Sequence, residues 1–147
     1  MVDIDATINT YGYANFKSVK EEWSVYLLED ETIVKVKVFP LKFIKQGNNY
    51  LMNSGGAMTI FSPPALKGEP SRVAPPNPAE LAKEIVKPDM AFETIDEPWN
   101  EYLLDDTIKW SVKTVVVSVS STKKHDPEGE PIYIVNHQVL TKRHPPF

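Results

Sequence analysis

Laid on itself with an offset of 76 residues, the chain pairs Phe16 with Phe92, Glu21 with Glu97, Trp23 with Trp99, Tyr26 with Tyr102, Leu27 with Leu103 and Leu28 with Leu104. The match runs on through Asp30 with Asp106 and Val36 with Val112 to Lys37 with Lys113. Nine of thirty ungapped positions are identical, where average residue usage gives roughly two. A repeat on this scale constrains a fold more than any local propensity, so it is sought first. Past position 45 a longer turn in the second copy shifts the pairing to Tyr50 with Tyr133 and Asn53 with Asn136, and both copies close on a Pro pair, Pro63 and Pro64, then Pro145 and Pro146. The boundaries that follow are repeat one at 16–64, a Pro-rich linker at 65–91 and repeat two at 92–146.

Each copy reads as β. In the first, WSVYLLE leads through the acidic turn Glu29, Asp30, Glu31 into TIVKVKVFPLKFI, and after KQGNN comes YLMNSGGAMTIF. β-Branched and aromatic residues in period-2 alternation, separated by polar turns, predict a three-stranded antiparallel meander. The second copy repeats the scheme with WNEYLLD, TIKWSVKTVVVSVSS and PIYIVNHQVLTKR.

The central strand changes which face is apolar. Val34, Val36 and Val38 occupy even positions, then Phe39, Leu41 and Phe43 odd ones; Ile108, Trp110 and Val112 are followed in the same way by Val115, Val117 and Val119. A strand keeps one face buried through such a switch only if a bulge or kink intervenes, here expected at 38–40 and 114–116. Pro40 suits such a break. A unit of about 50 residues without a disulfide or metal buries too little surface to be stable alone, so the two copies are expected to share one core. The expected fold is a single all-β domain over 1–147, internally duplicated and pseudo-twofold, either a small barrel or a two-sheet sandwich. In the linker, Asn77 as cap, Pro78 at the first position and Pro88 beyond Lys87 predict a short helix near 78–86, docked by Leu81, Ile85 and Val86.

Composition narrows the chemistry. With no Cys, disulfide scaffolds, zinc ribbons, iron–sulfur clusters and thiol nucleophiles are excluded. A net charge of −4 opposes unaided binding to nucleic acid or to an anionic membrane. No apolar run approaches the length of a membrane span and the start carries no signal-peptide pattern, so a cytoplasmic protein is expected. His125, His137 and His144 lie 12 and 7 residues apart, which matches no ligand pattern. Asp126 to Glu130 lacks the ligand alternation of a calcium loop. Neither a metal nor a cofactor is expected.

Two sets of residues remain as candidates. Trp23, Tyr26, Trp99, Tyr102 and Trp110 are large aromatics that either fill the core or anchor a protein interface. Lys35, Lys37, Lys42 and Lys45, interleaved with Phe39 and Phe43, have the pattern of a single-strand nucleic-acid platform, or else form a solvated face. The acidic pairs Glu29/Asp30 and Asp105/Asp106 fall at equivalent turns, where turn chemistry alone accounts for them. No nucleotide loop, nucleophile elbow or zinc-protease motif is present. The expected function is therefore a non-catalytic interaction protein, an accessory or structural subunit or a self-associating scaffold that works through a protein partner. The alternative is a β-barrel module for a small ligand or single-stranded nucleic acid.

Overall fold

The computed structural model describes residues 2–71 and 76–144; the second Pro pair of the repeat and part of the linker lie outside these. In chain order the elements are α1 (Ile4–Thr10), β1 (Tyr13–Ala14), β2 (Phe16–Lys20), β3 (Ser24–Leu28), β4 (Ile33–Gln46) and β5 (Asn49–Phe61), then a 3-10 turn at Pro64–Leu66 and α2 (Pro78–Ala82). They continue as β6 (Ile85–Lys87), β7 (Phe92–Asp96), β8 (Trp99–Leu104), β9 (Ile108–His125) and β10 (Pro131–His144). The chain is mostly β, in two antiparallel sheets that do not close into a barrel.

The expected meanders are present as β3-β4-β5 and β8-β9-β10. The sequence did not reveal what borders them. One sheet runs β1-β4-β3-β7 with β5 on β4, and the other runs β10-β9-β8-β2 with β6 on β9. Strand β2, next to β3 in sequence, pairs instead with β8, Phe16 opposite Leu104. Strand β7, next to β8, pairs with β3, Phe92 opposite Leu28. Each sheet therefore takes an edge strand from the other half of the chain.

Both long strands contain the anticipated bulge, slightly displaced. In β4 the pairing steps from Pro40–Ser54 to Lys42–Asn53, leaving Leu41 as the extra residue. In β9 the pairing steps from Ser118–Asn136 to Val116–His137, leaving Val117. The buried set accordingly switches from Val34, Val36, Val38 and Pro40 to Phe43, and from Val112, Thr114 and Val116 to Val119. Leu41 and Val117 point to solvent, and Phe39 and Val115 are only half-buried. The apolar odd positions expected inside thus reduce to one in each strand, because the bulge falls after position 40 rather than before it.

The core also differs from the expectation of one shared interior, for there are two clusters. The first joins Tyr26, Leu28, Val34 and Val36 of the first half to Val116, Val119 and Tyr133 of the second. The other joins Tyr102, Leu104, Ile108 and Val112 of the second half to Ala14 and Phe43 of the first. Each cluster needs both halves, since each bent strand buries its start in one and its end in the other. β4 and β9 cross between them, where the Val38 N–H donates to Thr114 Oγ1 at 3.1 Å.

The linker helix is shorter than expected. Asn77 caps it by accepting from the Glu80 N–H at 2.8 Å, but it ends at Ala82. Ile85 and Val86 lie in β6, paired along Ser121 and Thr122 of β9. β-Branched residues beside an unpaired strand edge extend rather than coil. Helix α1, which the residue pattern did not suggest, is capped by Asp3, whose carboxylate accepts from the Ala6 N–H at 3.1 Å.

Candidate functional site

The repeated residues assemble into two matching constellations. The Tyr26 hydroxyl donates to Glu97 Oε2 at 2.6 Å, and the Tyr102 hydroxyl donates to Glu21 Oε2 at 2.9 Å. Both rings are fully buried. Each glutamate also receives a lysine: Lys113 Nζ lies 3.7 Å from Glu97, and Lys37 Nζ 3.4 Å from Glu21. Those lysines stand over the repeated tryptophans, Lys37 4.6 Å from the Trp23 ring centre and Lys113 5.7 Å from that of Trp99. Phe92 meets Tyr26 edge to face at 5.6 Å, and Phe16 meets Tyr102 at 6.3 Å. The tyrosine and its acid come from opposite halves in both cases. These are clasps: a phenol buried in one sheet holds a carboxylate at the base of the strand arriving from the other half.

The electrostatics agree with a structural role. Burial, reinforced by the Glu97 carboxylate, pushes the Tyr26 phenol up to about 12. Burial and then Glu21 raise Tyr102 further. Tyr133, whose hydroxyl donates to Asp30 Oδ2 at 2.5 Å, is pushed up to about 12 by burial and then by that carboxylate. Phenols held in the neutral form are hydrogen-bond donors and not bases.

Of the interface candidates, Tyr26 and Tyr102 are interior. Trp23 is half-buried, and Trp110 is half-buried edge to face with Phe43 at 5.3 Å. Trp99, 37% exposed, is the most open of the five and has Lys142 over its ring at 5.9 Å. The lysines of the strip divide between two kinds of partner. Lys37 and Lys45 pair with Glu21 and with Asp105, the latter at 3.6 Å, and Lys45 also bonds Asn9. Lys35 and Lys42 lie over the Phe61 and Tyr13 rings at 5.7 and 5.1 Å. The strip is thus engaged within the chain along its length.

The acidic turns also tie the halves together. Asp105 and Asp106 both have positive φ, as the two central residues of a type I′ turn require; the turn is closed by the Thr107 N–H donating to the Leu104 carbonyl at 3.0 Å. Asp105 accepts from the Asn15 N–H at 3.0 Å, and Asp106 pairs with Lys17 at 3.2 Å. They line a polar crevice of about 550 Å³ beside α1. The three histidines are apart: His144 bonds Ser111 Oγ at 2.9 Å, His125 packs on Gly68 and His137 borders β5. No group of three or more potential metal ligands occurs among the described residues.

Nothing in the residue pattern pointed to the seam between β5 and β10. Among the described residues each of these strands pairs on one side only, with β4 and with β9. They approach each other at their ends: Ile60 packs against the cluster that holds Tyr133 at one, and at the other Arg143 bonds the Asn48 carbonyl at 2.7 Å and covers the Tyr50 ring at 5.1 Å. Between those ends two crevices open. One, about 260 Å³, lies among Thr59, Asp126, Glu128, Glu130 and Ile132. The next, about 240 Å³, lies among Val36, Val38, Ala57, Met58, Val135 and His137. Two strand edges with unmade ladder bonds, flanking one acidic and one apolar crevice, are equipped to hold extended chain.

Comparison with protein-family models, with curated proteins and with solved structures returned no match.

Proposed function

We propose that this chain is a non-catalytic interaction protein, an accessory or structural subunit that works by holding a protein partner. The observation that carries the reading is the pair of long strand edges along the seam, β5 of 13 residues and β10 of 14, each paired on one side only among the described residues. Edges of that length are templates for another chain unless something blunts them. β5 contains no charged residue and no proline, the two devices that commonly do so.

The proposal includes a single domain formed by duplication with exchange of edge strands, a fused counterpart of a twofold dimer. Four things support it. The two sheets have the same strand order. The bulges at Leu41 and Val117 are 76 residues apart. The two clasps use the same residue types at the same offset. Val38 and Thr114, also 76 apart, touch each other as residues beside a twofold axis do.

The test is size-exclusion chromatography with mass detection, followed by capture of partners from native extract. A stable complex, with itself or another protein, is the expected result. A monomer that captures no protein, but melts higher with a metabolite or is retained on single-stranded DNA in a salt-dependent way, would replace this reading by the ligand or nucleic-acid module.

A further inference from the structure

We infer that the seam between β5 and β10 takes a short extended peptide segment of a partner, with a basic residue at its N-terminal end and apolar residues after it. The inference rests on the interaction reading and specifies its chemistry. Antiparallel addition to β5 along Gly56–Ile60 would satisfy that edge over about 16 Å of extended chain, five residues at roughly 3.3 Å each.

Side chains on one face of such a segment fall in turn on the two crevices. Running antiparallel to β5, its first residues meet the crevice beside Asp126, Glu128 and Glu130. Within that group Asp126 is committed to its turn, accepting from the Glu128 and Glu130 N–H groups at 2.8 and 3.0 Å, and Glu130 has Lys67 at 3.2 Å. Glu128 is the carboxylate best placed for an arriving cation. Residues two and four positions later meet Val36, Val38, Ala57 and Val135, whose walls suit Val, Ile or Leu.

Gly56 gives a second, independent indication. A Cβ built there meets nothing closer than the Lys37 carbonyl at 3.6 Å, whereas one on Gly55 meets the Phe39 ring at 3.2 Å. Packing within the chain thus accounts for a bare backbone at Gly55 and not at Gly56. A glycine inside a strand weakens it and often marks the close approach of another backbone. Gly56 lies on the wall of the apolar crevice.

The probe is an end-capped, fluorescein-labelled heptapeptide, Lys-Thr-Val-Thr-Val-Thr-Val, titrated with the full chain by fluorescence anisotropy. Saturable binding in the micromolar range is expected, weakened about tenfold or more when alternate backbone nitrogens are methylated, since several ladder bonds are lost. Replacing the peptide Lys by Glu should weaken binding, and Glu128→Lys, on an exposed turn, should lower affinity for the Lys peptide about fivefold while raising it for the Glu peptide. Absence of saturation below about 1 mM, equal binding of both peptides, or indifference to methylation would overturn the inference. So would a partner captured by the full chain that the peptide fails to displace, although the wider interaction reading would then survive.

Discussion

Tyr26 and Tyr102 each do two jobs, filling a core and donating one hydrogen bond to a glutamate of the other half. Removing only the hydroxyl separates the two. Tyr102→Phe should cost about 1 to 2 kcal/mol in urea unfolding, one hydrogen bond to a charged acceptor. Tyr26→Phe should cost more, because its oxygen also accepts from the Val116 N–H at 3.1 Å. Truncating Tyr26 to Ala should cost about 4 kcal/mol, as for other large core aromatics. Trp23→Ala, at a half-buried ring under Lys37, should cost roughly 1 to 2 kcal/mol and leave the fold intact. The raised phenols also set an alkaline limit. Tyr26 and Tyr133 ionise near 10 when unfolded and at about 12 when folded, so the folded state holds the extra protons between those values. Their contribution is complete below pH 10 and is lost as the pH rises towards 12. In a variant with Tyr11, Tyr13 and Tyr50 replaced by Phe, which leaves the three buried phenols as the only tyrosines, tyrosinate absorbance and far-ultraviolet circular dichroism should therefore change together in that window; tyrosinate appearing near pH 10 with the fold retained would contradict the burial.

Strand β4 stays half inside two cores only because Leu41 is not counted in the ladder. Deleting Leu41 should drive Phe43 to the outer face, or force the strand to slip, at about 3 kcal/mol or more. Substituting it by Thr should change stability by no more than about 0.5 kcal/mol, because the side chain points to solvent. Thermal melts of the two variants decide between a counting role and a packing role, and Val117 should behave in the same way. This feature was legible in the sequence because a parity switch in a period-2 pattern admits few explanations; its position was a residue or so off because Phe39 is apolar whichever side it faces. The end of α2 was misplaced for a related reason. Asn77 and Pro78 mark a helix start by local chemistry, but whether Ile85 and Val86 continue it depends on Thr122 and Ser121, which no local window contains. The repeat singled out the clasp residues as a set, yet gave no hint that tyrosine and glutamate would meet across halves. The seam left no trace at all, because it arises from how two sheets stand together.

At the scale of the molecule, exchange makes the halves interdependent. Sheet edges β2 and β7 and both cores draw on each half. Cutting the chain between Ser71 and Pro76 and producing the two pieces separately should give fragments without cooperative unfolding. Mixed, they should recover one transition and elute together. Independent melting of either fragment would refute the interdependence. The same exchange governs synthesis. Strand β3 ends at Leu28 and waits for β7, which ends at Asp96. At about 5 to 20 residues per second the ribosome needs roughly 3 to 14 s to supply it. During that interval the nascent first half carries an incomplete sheet, with Tyr26 lacking both Glu97 and Phe92. The newborn chain is thus most exposed to aggregation, and most in need of a chaperone, before its second half exists.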